Sequence, residues 1–197
     1  MSPTVSRLRL ERAGTAIRPF ARTDLEDLLA LRTSNRDFMA VYEADRSDAF
    51  FTRAGQAREI TLDTEAWSTG AGYAFAIVDR DDGDRLIGRI ALSNVVRGPW
   101  QNATLGYWVD LVANGRGHAT DAVHLTCRFA FEHAGLHRVQ PAIMPRNARS
   151  RRVVEKVGFR HEGTAKRYLK IAGTWEDHDI FALTREEWGV ARRRHLG

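Results

Sequence analysis

Tyr107-Trp-Val-Asp110-Leu-Val-Ala-Asn114-Gly-Arg-Gly117-His-Ala-Thr120 is the stretch that decides how this chain folds. An apolar strand ends near Asp110, and a short loop carries Gly115 and Gly117. Ala119 to Ala134 then has the spacing of an amphipathic helix, with Ala122, Val123, Phe129 and Ala130 near one face. A glycine-containing loop between a strand and a helix can point several backbone N–H groups at one spot. The positive end of the helix dipole adds to them, and the result suits a phosphate or pyrophosphate. Glycine lets the backbone approach such a ligand without a Cβ in the way. The same two glycines would also serve an ordinary strand–helix turn.

The loop is not a Walker loop, because no Gly-Lys-Ser/Thr follows, and a dinucleotide fingerprint would need glycine at Thr120. It resembles the pyrophosphate loop of the GNAT N-acetyltransferases, Gln/Arg-x-x-Gly-x-Gly/Ala. Asn114, Gly117 and Ala119 fall on those positions, with Asn114 departing from the usual Gln or Arg. The resemblance implies that the anion is the pyrophosphate of acetyl-coenzyme A, held by Asn114, Gly115, Arg116, Gly117, His118, Ala119 and Thr120.

Outward from the loop, the chain reads as alternating elements. Arg7 to Glu11 and Thr15 to Phe20 have strand patterns. Thr23-Asp-Leu-Glu26 is a capping box for a helix carrying Leu25, Leu28, Leu29 and Arg32. Asn35 to Asp48 lacks clean periodicity and is read as a short helix plus loop. Thr52 caps a second helix running to about Thr69, which Gly70 and Gly72 end. Tyr73 to Asp79 and Arg85 to Val96 are strands joined by a tight turn at Arg80 to Asp84, and Gly98-Pro99 separates them from a strand over Ala103 to Asp110. His137 to Met144 is a further strand, in which Pro141 predicts an irregular or edge position. Asn147 caps a helix running to Val157. Phe159 to Ile171 and Thr174 to Leu183 form a hairpin, and Thr184-Arg-Glu-Glu187 is a second capping box for a short final helix. This order gives a single α/β domain over 1–197 with a mixed sheet.

The second half carries a more specific pattern. Asn147-Ala-Arg-Ser150-Arg-Arg-Val-Val-Glu155-Lys-Val-Gly158-Phe159 resembles the Asn-x-x-Ser-x-x-x-x-Glu-Lys-x-Gly-Phe signature of the RimJ/RimL-type protein N-terminal acetyltransferases. Glu162-Gly163, Tyr168-Leu169, Gly173-x-Trp175 and Asp177-His178 fit the same group. So do Ser93-Asn94-Val-Val-Arg97-Gly98 and Leu105-Gly106-Tyr107 upstream. The similarity spans residues 15–188 and is greatest to the ribosomal-protein-alanine N-acetyltransferases. It implies a GNAT-like fold: a central, mostly antiparallel mixed sheet flanked by helices, with a splayed strand pair for acetyl-coenzyme A.

In that frame a backbone N–H near Tyr107 to Asp110, with Val109 as the cofactor-binding position, would bond the thioester oxygen. The pantetheine arm would lie between this strand and His137 to Met144, and Asn147 would hold its amides. Many members carry a tyrosine seven residues after the asparagine. Here that position is Val154, so Ser150 becomes the candidate proton donor. No base is evident: the strand position of a glutamate in some histone-acetylating relatives is near Ala103, which leaves Glu43 or a held water as candidates. Tyr168, Trp175 and Asp177 on the hairpin, with the Asn35 to Asp48 segment opposite, are expected to wall the amine site. Each residue has a plainer reading. Asn147 is a good helix cap, Ser150 a first-turn residue, Tyr168, Trp175 and Trp108 sheet or core aromatics, and His178 a satisfied strand histidine.

Composition narrows the class. There is no apolar run approaching the ~20 residues of a membrane span, and Met1 to Arg12 lacks the apolar core of a signal peptide. Cys127 is the single cysteine, so neither an internal disulfide nor a cysteine metal cluster can form, and no metal site is expected. The reading is cytoplasmic, with no membrane partner. Net charge is +5, from 27 arginines and three lysines against 25 acidic residues. That balance aids encounter with anions such as coenzyme A or ribosomal RNA without specifying a nucleic-acid site. Arg192-Arg193-Arg194 is read as a solvated tail. The expected reaction is transfer of acetyl from acetyl-coenzyme A to the N-terminal α-amine of a protein, such as a ribosomal protein. The rivals are acetylation of a small amine (antibiotic, toxin or polyamine) and a non-catalytic ribosome-associated module. A homodimer is left open.

Overall fold

The computed structural model describes residues 8–194. Eight strands form one sheet in the order β1-β2-β3-β4-β5-β6-β8-β7. They are β1 (Leu10–Arg12), β2 (Thr15–Pro19), β3 (Tyr73–Asp79), β4 (Arg85–Val96), β5 (Asn102–Val109), β6 (Arg138–Ile143), β7 (Arg160–Ile171) and β8 (Thr174–Thr184). Every neighbouring pair is antiparallel except β5 and β6, which run parallel because α4 (His118–Arg128) crosses over between them. The remaining helices are α1 (Leu25–Ser34), α2 (Arg36–Ala40), α3 (Arg53–Thr69), α5 (Ala148–Val157) and α6 (Arg185–Arg194). Among the described residues no helix is long and apolar enough to cross a membrane.

Helices cover both faces of the sheet, so its central strands are apolar on both sides. Ala16, Ala76, Val78 and Leu86 pack with Leu28 and Leu31 of α1 and Ile60 of α3. The alternate residues Ile17, Phe75, Ile77 and Ile87 cluster with Val123 and Cys127 of α4 and Val154 of α5. Phe129 holds the end of this second layer, with its ring 5.0–5.2 Å from those of Trp67, Tyr73 and Phe75. Truncating such a ring to alanine costs about 3–5 kcal/mol.

Local signals hold at several termini. Thr52 Oγ1 accepts from Gly55 N–H at 3.1 Å, Gly70 ends α3 at φ 71°, and Glu187 Oε2 accepts from Thr184 N–H at 2.8 Å ahead of α6. The Thr23–Glu26 box does not form. A short 3-10 turn over Arg22–Asp24 precedes α1, and Asp24 turns back instead. Its two carboxylate oxygens each accept from Arg18 at 2.7 Å, and one also takes Ala21 N–H at 2.8 Å. Glu26 pairs with Arg53 of α3. A tertiary ion pair has displaced the local cap. β1 begins at Leu10, and Arg7 of the expected strand lies outside the described residues. The helix expected over Ala119 to Ala134 is α up to Arg128 and then a π turn over Phe129–His133. The backbone of α6 is helical through Arg194, so the expected arginine tail starts as helix.

Pro141 is irregular but not at an edge. β6 lies between β5 and β8, and its register with β5 runs from Asn102↔Arg138 only to Leu105↔Pro141. Proline has no N–H to give the ladder. The β6–β8 register likewise skips from Val139↔Leu183 to Ala142↔Ile180.

Candidate functional site

Where the β5–β6 ladder stops, the sheet opens. Gly106 to Val109 keep their antiparallel partners on β4, through Gly88↔Val109, but have none on β6. Ala142 and Ile143 keep theirs on β8. Two strands therefore face each other across a gap, each with one free backbone edge, and an extended molecule carrying amide groups can pair with such edges.

The free end of β5 runs into the glycine loop. Leu111–Ala113 make a single 3-10 turn, Asn114 is extended, Gly115 and Gly117 take φ 82° and 94°, and α4 begins at His118. These left-handed conformations are where glycine is favoured. A cleft of about 500 Å³ lies above the loop, lined by Val109, Asn114, Gly115, Gly117, His118, Ala119 and Thr120 on one side. Arg116, placed by sequence beside these, turns below the loop to the fully buried Asp79, an ion pair at 3.0 Å not aligned as a hydrogen bond. The His118 ring is buried there too, with Nδ1 2.9 Å from Thr15 Oγ1, so this residue offers the cleft mainly its backbone.

Across the cleft stands α5, with Arg149, Arg152, Val153 and Lys156 on the lining. Sequence reasoning missed the three cations. Their spacing of three and four residues was the available signal, because it puts them on one helical face once Asn147 is fixed as the cap. Asn147 Oδ1 accepts from Ser150 N–H at 3.1 Å, which is the capping bond.

Ser150 does not stand alone. Its Oγ lies 2.7 Å from the Tyr107 hydroxyl, which is also 3.2 Å from the Ser150 carbonyl oxygen. Tyr107 sits in the stretch of β5 that lacks a β6 partner, and burial pushes its phenol well above the ordinary tyrosine value. A tyrosine hydroxyl drawn partly out of water is best met by a polar partner, and here that partner is the candidate serine. Sequence reasoning placed Tyr107 on the splayed strand but gave it no role.

The other candidates are divided between the two faces of the sheet. Glu43, in the loop after α2, bonds Arg32 at 2.9 Å, and the Arg32 guanidinium is buried over the Trp108 ring at 4.3 Å. The Asn35 to Asp48 segment does meet the β7–β8 hairpin: Glu43 C=O accepts from Ala172 N–H at 3.2 Å, and Arg146 bridges Val41 C=O and Glu176. The expected trio on that hairpin is split. Along β8, Trp175 and Asp177 share a face with Asp179, whose carboxylate pairs with Arg151 of α5 at 3.2 Å. Glu176 and His178 occupy the opposite face, and the Tyr168 ring is 5.7 Å from that of His178. Asp177 is also committed: Lys166 and the Arg167 N–H bond it and hold its carboxyl below the usual range. Strict alternation separates neighbours that a sequence motif lists together.

Residues 15–160 match the acetyltransferase (GNAT) domain family. The chain is 42% identical over 167 residues to the Bacillus subtilis protein named "Probable N-acetyltransferase YjcK", covering 85% of this chain and 92% of that one. Among solved structures, ribosomal-protein-S5-alanine acetyltransferase from Vibrio fischeri superposes with a TM-score of 0.85 at 31% identity, over 92% of this chain and 98% of that one. Mycobacterium smegmatis RimJ, solved with CoA-disulfide, superposes at 0.83 with 28% identity, over 88% and 83%.

Proposed function

The chain belongs to the GNAT acetyltransferase family, and from that footing we propose that its acceptor is the N-terminal α-amine of a protein, a ribosomal protein being the leading class. Acetyl transfer from acetyl-coenzyme A is the reaction of the family. In our reading the pyrophosphate lies over the N–H groups of Gly115 to Thr120, opposite Arg149, Arg152 and Lys156. The pantetheine enters the gap between β5 and β6, and Asn147 meets one of its amides with the side-chain NH2 that capping leaves unused. The thioester oxygen takes a backbone N–H near Val109, and the sulfur comes to Ser150.

The acceptor assignment rests on the Arg32–Glu43 pair. Glu43 is the one carboxylate that sequence reasoning offered as a base, and a buried guanidinium already engages it. A protein α-amine has an ordinary pKa of about 7.7–8.0, against about 10.4 for lysine, so freeing a lysine near neutrality costs about 3.5 kcal/mol more. A site without a free strong base suits the α-amine. Similarity to the Vibrio fischeri S5-alanine enzyme supports a small first residue.

The test uses a lysine-containing peptide beginning with Ala or Ser, its N-terminus either free or blocked, with mass spectrometry after reaction. The free peptide should be acetylated on its α-amine alone. Equal acetylation of the blocked peptide refutes the assignment. Turnover confined to polyamines or antibiotics would identify a small-amine enzyme, and absence of any turnover a binding module.

A further inference from the structure

Ser150 and Tyr107 share two hydroxyl protons, and their arrangement is restricted. Each hydroxyl donates once and accepts up to twice. The 2.7 Å contact between Tyr107 Oη and Ser150 Oγ is common to both arrangements. In one, Tyr107 donates to the Ser150 carbonyl at 3.2 Å and the serine donates to the tyrosine. In the other, Tyr107 donates to Ser150 Oγ, and the serine proton is left for a third atom. Only the second leaves the serine proton free for another acceptor.

We propose that Tyr107 is a positioning residue for acetyl transfer, which by donating to Ser150 Oγ turns the serine's own O–H onto the departing sulfur of coenzyme A. This rests on the coenzyme lying in the gap as proposed above. The amine nitrogen forms the C–N bond to the carbonyl carbon, the C–S bond breaks, and its electron pair leaves on sulfur. The nitrogen loses its surplus proton to water. The thiolate accepts a hydrogen bond from Ser150 and later takes a proton from solvent. Tyr107 and Ser150 keep their protons throughout. An ordinary phenol, near 10, already holds its proton more tightly than a thiol, near 8.5, and burial tightens it further. The pair therefore stabilises a thiolate and does not acidify the site.

The experiment compares wild type, Tyr107→Phe, Ser150→Ala and the double variant. The readouts are kcat and KM for acetyl-coenzyme A with a peptide beginning with Ala, coenzyme affinity by calorimetry, and the pH titration of the bound coenzyme A thiol by thiolate absorbance. The titration needs no acceptor. Tyr107→Phe should lower kcat about five- to tenfold, the scale of one hydrogen bond between neutral groups, with KM within about threefold. The double variant should be no slower than Ser150→Ala, and the bound thiol should titrate at higher pH in Tyr107→Phe than in wild type. A wild-type kcat and thiol titration in Tyr107→Phe overturns the proposal. So do losses that multiply in the double variant, since Tyr107 would then act independently of Ser150. Full activity of Ser150→Ala removes the serine as the donor and the proposal with it. Coenzyme binding unchanged in all variants keeps those failures distinct from failure of the cofactor site, which would appear as no binding to wild type.

Discussion

Gly117→Val separates a loop that binds a pyrophosphate from one that merely turns. Gly117 sits at φ 94°, ψ −14°, in the left-handed region. A β-branched residue there costs about 1–2 kcal/mol. In a domain of this size each kcal/mol lowers Tm by about 2–4 °C, so the variant should melt roughly 2–8 °C lower. That strain is present with or without ligand and largely cancels in an affinity. A Cβ at Gly117 would meet no protein atom within 4 Å, so the added methyl groups project into space the protein leaves open. Occupation of that space by the coenzyme phosphates should weaken binding at least tenfold, about 1.4 kcal/mol. Gly135→Val is the control, since Gly135 has φ 66°, no atom within 4 Å of its Cβ, and a place at the far end of the α4 crossover. Calorimetry with acetyl-coenzyme A, well below both melting temperatures, reads the affinities. A lowered Tm with unchanged affinity in Gly117→Val would refute the assignment of the loop.

Arg152→Ala should weaken acetyl-coenzyme A about fivefold at low ionic strength, and the deficit should shrink near 1 M salt, where the screening length is about 3 Å. A deficit independent of salt would argue that Arg152 acts through packing. Glu162 is held at a pKa of about 2, against an ordinary 4.5, chiefly by its bonds to Arg138. A depressed folded-state value means a contribution that is complete above about 4.5 and lost as pH falls toward 2. Melting curves of Glu162→Gln should therefore lie below wild type at pH 5–7 and converge with it near pH 2; a constant offset across that range would contradict the pairing.

What could be read in advance follows from how local each signal is. Thr52, Asn147 and Gly70 act within one turn of their own helix, and their roles are visible in adjacent residues. The loop from Asn114 to Ala119 carries its geometry in its own glycines. Thr23 misled because a local box competed with Arg18, whose strand position lets it reach Asp24 with both terminal guanidinium nitrogens. Tyr107 and Ser150 are 43 residues apart, and nothing in either segment announces the other. The role of Glu43 likewise depends on Arg32 and, through the stacked guanidinium, on Trp108 of a distant strand. Proximity to a motif also proved a poor guide to direction. Trp175 and Glu176 are adjacent in sequence and point to opposite sides of the sheet.

The short β5–β6 ladder also makes this domain two blocks and a seam. The strands from β1 to β5 are linked by successive antiparallel pairings, and β6, β8 and β7 form a second set. Within the sheet only the pairs from Asn102↔Arg138 to Leu105↔Pro141 join them. Parallel pairing across a helical crossover closes a longer loop than a hairpin does, so this junction forms at greater entropic cost than either block. Opening along it would leave most other pairings intact, in the manner of sub-global units that exchange their amides ahead of the whole. A cosubstrate seated in the gap would touch both blocks at once. It would then act as mortar as well as reactant, with the saturated enzyme opening as one body where the empty one opens as two.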